Sequence, residues 1–295
     1  MEIKSVGVVG CGLMGHGIAQ VCAQRGGWDV VVVEISQEQL DKGLGKIEKQ
    51  LARAVDKGKL DQADADAVRG RIKGSVELGD LAECDLVIEA ITEDLDAKLE
   101  LWKEVDGIVK DGALFATNTS SLAVADQAAA TSRPDRFLGL HFFNPVQVMP
   151  LLEVVRGEST AEETAAAGFA FGEALGKTTV AAGDNRGFIV NRLLVPFMLD
   201  GINAYEAGVG SIEDIDAAMM GGASHPMGPI TLADFVGLDT LASIAKVMRD
   251  YYGEERFGAP STLTKLVEAG HYGRKSGRGY YDYSGEKPVA VDPEA

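Results

Sequence analysis

The chain has 295 residues, 46% of them hydrophobic and 25% charged, which suits a globular protein with one large or two ordinary cored domains. Its net charge of −17 argues against non-specific nucleic-acid binding, and no run of 18 apolar residues offers a membrane span. Three cysteines, Cys11, Cys22 and Cys84, form neither a disulfide framework nor a metal-ligand spacing, so a reducing cytoplasm and no metal are expected.

The first strand pattern begins a few residues after Met1, so no signal peptide is expected. Val6, Val8 and Val9 lead into Gly10-Cys11-Gly12-Leu13-Met14-Gly15. An Ala-rich helical pattern follows, then a second apolar run, Val30 to Val33, ending on Glu34. A lone GxGxxG is a weak signal. Strand, glycine turn, helix and strand, with an acid about 20 residues past the glycines, make it a dinucleotide fingerprint. Gly10 permits the tight turn, Gly12 lets backbone approach a pyrophosphate, and Gly15 lets the helix pack closely on the strand. Leu13 and Met14 lead into a helix N-terminus whose free N–H groups face phosphate, and they count as cofactor contacts with the glycines. Glu34 would accept hydrogen bonds from the adenosine ribose. Its charge opposes a 2′-phosphate and no Arg sits beside it, so NAD is favoured over NADP.

Leu40, Leu44, Ile47, Leu51 and Val55 then recur at helical spacing. Lys42, Lys46, Lys49, Arg53 and Lys57 recur at the same spacing, offset by two residues, or about 200° around a helix. The basic stripe therefore lies opposite the apolar one. It reads equally as a solvated face or as a landing strip for an anionic ligand.

A short helix is expected over 61–70 and a short strand over 71–76. Asp85 to Ala90 reads as a strand whose carboxyl end, with Ala90, faces the ligand crevice of a doubly wound sheet. Glu93 and Lys98 fall near that crevice. Taken alone they read as helix-start charge and surface lysine. Leu95 to Val109 reads as a helix with Leu95, Leu99, Trp102 and Val105 on its core face. Ala113 to Ala116 is a strand pattern followed by Thr117-Asn118-Thr119-Ser120-Ser121. Asn118, Ser120 and their neighbours face a ligand there, or cap a helix starting near Leu122.

Phe137 to Phe143 contains His141, and Leu151 to Val155 contains Glu153. The two runs can pair as a hairpin across the loop from Asn144 to Pro150, bringing His141 and Glu153 to one face. A Glu inside an apolar run is rare, and the pair explains itself if each neutralises the other. A carboxylate beside an imidazole fixes its tautomer and stabilises its cation, the arrangement of a general base with an orienting partner. Ala161 to Leu175 reads as a helix and Lys177 to Ala181 as a last strand. The Asp184-Asn185-Arg186-Gly187 stretch marks a domain boundary. Beyond it only helical patterns are visible, over 188–206, 211–219, 232–252 and 261–269, with a short, polar and mobile tail expected from Lys287. The fold expected is α/β, a Rossmann-type doubly wound, mostly parallel sheet in residues 1–184 with an all-helical C-terminal domain in 185–295.

The strings GCGLMG, DLVIEAITED, ATNTSSL, GLHFFNPVQVMPLLEVV, GFIVNRLLVP, HPMGPITLADFVGLD and GRKSGRGYYDY occur in this order. With them the chain resembles the 3-hydroxyacyl-CoA dehydrogenases over roughly residues 3 to 283, and the bacterial 3-hydroxybutyryl-CoA enzymes in length. The resemblance implies that His141 is the general base, Glu153 its paired carboxylate, Ser120 a hydroxyl near the substrate's 3-oxygen, and Asn191 an active-site amide. It implies cofactor contacts at Glu34, Glu93, Lys98, Ser120, Asn144 and Lys275. It also implies that the long helix after Glu34 binds CoA, with Lys57 matching a CoA contact and Gln50 standing where the family compared has Ser. Arg53 or Lys49 is expected to help. Ser120 and Asn191 are expected to bond the reacting oxygen or to place the thioester.

The implied reaction is reversible hydride transfer between C3 of an (S)-3-hydroxyacyl-CoA, short-chain by resemblance, and NAD. A site in an interdomain cleft, a homodimer and a cytoplasmic location are implied by the same likeness. A β-hydroxyacid dehydrogenase also joins a Rossmann domain to a helical one, but its lysine motif has no match here and HFFNP is foreign to it. A non-catalytic NAD-binding relative, of the lens-crystallin kind, is opposed by the intact Ser120, His141, Glu153 and Asn191.

Overall fold

Short apolar runs alternating with amphipathic helices build the first part of the chain. The strands are β1 (Ser5–Val9), β2 (Asp29–Val33), β3 (Ile72–Ser75), β4 (Leu86–Glu89), β5 (Leu114–Thr117), β6 (Phe137–Phe142), β7 (Leu151–Arg156) and β8 (Thr178–Gly183). They form one eight-stranded sheet in the order β3-β2-β1-β4-β5-β6-β7-β8. Only the β6–β7 pair is antiparallel; the others are parallel. Order reverses beside β1, so a crevice opens beyond the carboxyl ends of β1 and β4. The computed structural model describes residues 3–293. The chain divides into two units, Met1–Phe188 and Ile189–Ala295.

The central strands are apolar on both faces because helices cover both. Leu86 and Ile88 of β4 enter one apolar cluster with Ile18, Leu40, Ile47 and Phe171. Val87, pointing the other way, enters a second with Trp102, Val105 and Val124. The first cluster belongs to helices α1 (Gly15–Val21), α2 (Gln37–Asp56), α3 (Gln62–Gly70) and α6 (Glu162–Ala174). The second belongs to α4 (Leu95–Ile108) and α5 (Val124–Ala128).

Two details differ from the sequence reading. The fully buried face of α4 is Lys98, Trp102 and Val105, while Leu95 and Leu99 are half-buried. Lys98 turns inward because a buried carboxylate waits for it. Helix α5 starts at Val124, not near Leu122. Its first N–H groups, on Val124 and Ala125, donate at 2.8 and 2.7 Å to the carboxylate of Asp184 rather than to the Ser cluster.

The second unit holds α7 (Val190–Glu206), α8 (Ile212–Gly222), α9 (Pro229–Val236), α10 (Leu238–Tyr252) and α11 (Ser261–Glu268). The pattern read as one helix over 232–252 is two. Gly237, at φ 103°, separates α9 from α10 in a conformation that a side chain would strain. A two-stranded hairpin, β9 (Tyr281–Asp282) with β10 (Val289–Ala290), ends the unit. It accompanies the helices, and it orders part of the tail expected to be mobile. The end of that tail, 294–295, lies outside the described residues. Asp234, fully buried on α9, accepts the Tyr280 and Tyr281 N–H groups at 3.0 and 2.9 Å and so anchors this hairpin. Among the described residues no helix is long and apolar enough to cross a membrane.

Candidate active site

The glycine turn takes the form that its residue types require. Gly10 sits at φ 92°, and a Cβ there would lie 2.6 Å from the Ala90 carbonyl oxygen. A Cβ on Gly15 would lie 1.7 Å from the Gly10 oxygen, so only glycine lets α1 start where it does. Gly12 is different: a Cβ there would meet nothing within 4 Å, so room is left over the backbone for a ligand. Helix α1 has no side-chain cap, which leaves its first N–H groups for an anion. Leu13 is exposed beside them. Glu34 closes this end with one oxygen on the Cys11 N–H at 2.6 Å and the other on the Ile35 N–H at 3.0 Å. This turn fits the diphosphate and ribose of a dinucleotide.

At the carboxyl ends of β4 and β5 lies a charged cluster. Lys98 is 1% exposed and reaches Glu89 Oε1 at 2.6 Å and Glu93 Oε2 at 3.1 Å. The surface-lysine reading of Lys98 therefore fails, because the interior offers two carboxylates. Glu93 Oε1 accepts from Thr119 Oγ1 at 2.5 Å, Ser120 N at 2.8 Å and Ser121 N at 3.0 Å. Burial pushes the Glu93 carboxyl upward, but Lys98 and these donors outweigh it and hold it down at about 2. Ser120 thus sits in a loop folded around an acid 27 residues away in sequence but adjacent in space. Asn118 uses one end of its amide within the sheet: its Oδ1 accepts the Phe142 N–H at 2.9 Å and ties β5 to β6.

Beside that cluster the hairpin β6–β7 pairs His141 directly with Glu153. Both are buried, and Nδ1 of His141 lies 2.5 Å from Glu153 Oε2. The rings of Phe143 and Phe188 pack on the imidazole at 4.5 and 5.4 Å. An ionised Glu153 accepts from Nδ1–H, which leaves Nε2 of the neutral ring with a lone pair. The loop carrying Asn144 is held by cations. Lys177 donates to the carbonyls of Val146 and Met149, and Arg25 donates to the Gln147 carbonyl at 3.0 Å.

On α2, Lys42, Lys46, Lys49 and Arg53 are exposed, with Lys57 just past the helix end. Lys42 pairs with Glu38. Gln50 is half-buried and bonds within the protein, to His16 and Gln147. Asn191 lies in the first turn of α7 and Lys275 pairs with Asp239 at 2.5 Å, both in the second unit.

Sequence reasoning passed over Glu89, Asp184, His16 and Lys177. For Glu89 a signal existed: it is an acid ending an apolar run, the same oddity that singled out Glu153.

The family model described as "3-hydroxyacyl-CoA dehydrogenase, NAD binding domain" matches residues 5–185. The model described as "3-hydroxyacyl-CoA dehydrogenase, C-terminal domain" matches residues 187–283. A 3-hydroxybutyryl-CoA dehydrogenase of Mycobacterium tuberculosis is 47% identical over 283 residues, 95% of this chain and 99% of that protein. One of Bradyrhizobium diazoefficiens is 45% identical over 287 residues, covering 97% and 98%. Among solved structures, the (S)-3-hydroxybutyryl-CoA dehydrogenase PaaH1 from Ralstonia eutropha superposes with a TM-score of 0.92 at 43% identity, covering 96% of this chain and all (100%) of that one. The glycine turn, the crevice and these matches agree: the chain belongs to the 3-hydroxyacyl-CoA dehydrogenase family and is an NAD-dependent oxidoreductase.

Proposed function

We propose that the chain interconverts (S)-3-hydroxybutyryl-CoA and acetoacetyl-CoA, with His141 and Glu153 as its acid–base pair. The observation that carries this reading is the buried contact between His141 Nδ1 and Glu153 Oε2 at 2.5 Å, set by direct cross-strand pairing. The substrate assignment leans on relatives whose names specify 3-hydroxybutyryl-CoA.

In oxidation, Nε2 of His141 takes the proton of the 3-hydroxyl. Glu153 steadies the imidazolium that results and keeps the ring from turning. In the reverse direction Nε2–H returns the proton to the developing alkoxide. Ser120 is placed by its N–H bond to Glu93, and its hydroxyl, which lies 3.3 Å from Glu93 Oε1, is assigned to the alkoxide oxygen, to which it would turn when substrate binds. Asn191 is assigned to the substrate by resemblance alone. When bound, NAD supplies the carbon that accepts or gives the hydride. The turn at Gly10, Gly12 and Gly15 and the Glu34 carboxylate hold its adenosine half. Glu93, Lys98 and Asn144 are assigned to the nicotinamide half, with Lys275.

The exposed basic stripe of α2 is assigned to CoA, whose phosphates need local cations in a chain of net charge −17. A homodimer and a cytoplasmic location complete the reading, both by likeness to the family. The test is NADH absorbance decay with acetoacetyl-CoA and with longer 3-oxoacyl-CoA substrates, repeated with NADPH. Fastest turnover of acetoacetyl-CoA with NADH is expected. No NADH consumption, or a marked preference for long chains, overturns the assignment.

A further inference from the structure

Glu89 ends β4, in register with Val9 of β1 and Thr117 of β5, at the edge where the crevice opens. Its side chain is 0% exposed. Every contact it makes is a donated hydrogen bond: Lys98 Nζ at 2.6 Å and Ile91 N at 2.8 Å to Oε1, Thr117 Oγ1 at 2.7 Å to Oε2. A buried carboxylate is costly unless paired and bonded in this way. Lys98, as deeply buried, has the same problem with the opposite sign. Glu93, its other partner, has a side chain 35% exposed and is drawn to five donors of residues 119–121 by its second oxygen. Lys98 bonds both acids directly, and Thr117, whose Oγ1 bonds Glu89 and accepts the Thr119 N–H at 3.2 Å, is a second link of neutral groups from the sheet-bound acid to the loop.

We propose that Glu89 is a positioning residue for the cofactor: it fixes Lys98, and through Lys98 the Glu93 carboxylate and the Ser120 loop, in the arrangement that receives the nicotinamide half. This rests on the reading above that Lys98 and Glu93 contact NAD. Glu89 itself touches neither cofactor nor substrate. Two features separate this from a merely structural acid. Its strongest partner is a residue assigned to the cofactor, and its effect should vanish when that partner is absent.

The experiment is fluorescence titration of NADH with E89Q, K98M and the double variant E89Q/K98M, beside steady-state kinetics with acetoacetyl-CoA. E89Q is expected to weaken NADH about tenfold, which is about 1.4 kcal/mol. K98M should weaken it at least as much, and the double variant should bind within about twofold of K98M, since the amide of E89Q still accepts from Thr117 Oγ1 and the lost charge acts through Lys98. KM for acetoacetyl-CoA should stay within about twofold in E89Q. Wild-type NADH affinity in E89Q overturns the proposal and leaves the cofactor reading standing if K98M is weakened. Multiplying effects in the double variant also overturn it. Unchanged NADH affinity in K98M overturns the cofactor reading and the proposal together. If E89Q does not fold, E89D keeps the charge but shortens its reach, and it is expected to weaken NADH several-fold; unaltered affinity there overturns the proposal.

Discussion

Replacing Glu153 by Gln tests the acid–base pair with the least disturbance. The amide has the size of the carboxylate, and its oxygen still accepts Nδ1–H, so the imidazole keeps its place. What is lost is charge. A hydrogen bond to a charged group contributes about 1.5–3 kcal/mol and a neutral one about 1 kcal/mol. Glu153 is fully buried and its contact is short, 2.5 Å, so the upper part of that difference applies. About 1–2 kcal/mol of imidazolium stabilisation then disappears from the transition state, a factor of about 5–30 in kcat. H141Q removes the base itself and should lower kcat by about 10²-fold or more. The assay is NADH loss with saturating acetoacetyl-CoA, with KM expected within about twofold of wild type. The double variant E153Q/H141Q should be no slower than H141Q, because Glu153 acts on the proton only through the ring. A kcat for E153Q within twofold of wild type refutes the reasoning. So does a further tenfold fall when E153Q is added to H141Q.

Neutralising the exposed stripe in K49Q/R53Q/K57Q should raise KM for acetoacetyl-CoA about five- to tenfold at low salt, less at high salt, and leave KM for NADH unchanged. An unchanged KM for the acyl-CoA removes the stripe from substrate binding. Lys177 offers a pH test of stability. Burial first, and Arg25 second, push its ammonium down from 10.5 to about 8. Below pH 8 both folded and unfolded states are protonated and the folded state carries the full cost of the buried charge. Between pH 8 and 10.5 the unfolded chain binds the extra proton, so this cost is relieved as pH rises. Urea unfolding of wild type and K177M at pH 7, 9 and 10 should therefore show the wild type gaining relative to the variant, by up to about 1.4 kcal/mol per pH unit. A constant difference across that range shows that Lys177 does not titrate there.

The inner strands were legible because each is a four- to six-residue apolar run set between turn residues, and a buried sheet demands such runs, whereas the edge strands β3 (IKGS) and β8 (TTVAAG) carry a weaker pattern. The hairpin pairing of His141 with Glu153 was legible for the same reason: two runs, one connecting loop and a polar residue in each leave few registers that bury both. What escaped is pairing at a distance. Asp184 caps α5 across 60 residues, and no periodicity near Leu122 betrays it. Lys98 looked like surface because helical patterning counts charge as outward. It could be read as inward only by someone who had already noticed Glu89, nine residues earlier, at the end of its strand. The split at Gly237 hid inside an unbroken apolar pattern, since both helices bury the same kind of face. The strands Tyr281–Asp282 and Val289–Ala290, two residues each, are too short to show alternation at all.

Gln50 joins these threads. By resemblance its position belongs to CoA, and its amide looked like a substitute contact. In the fold the amide is used at both ends. Its Nε2 lies 3.1 Å from His16 Nε2, and its Oε1 accepts from Gln147 Nε2. His16 Nδ1 lies 2.6 Å from the Gly12 carbonyl oxygen, so that nitrogen carries the proton and Nε2 accepts from Gln50. Burial, the largest cause, lowers the His16 pKa, and Lys46 lowers it further against the Gly12 bond, which keeps the ring in the neutral form that this order of donors requires. Gln147 spends its other N–H on Gln20 Oε1 at 3.0 Å. One chain of bonds therefore runs from the loop between β6 and β7, through α2, to the carbonyl of the glycine turn. The inner edge of α2 is committed to holding these parts together. Contacts from α2 to CoA are then expected from its outer lysines and Arg53, with the Gln50 amide anchoring the helix.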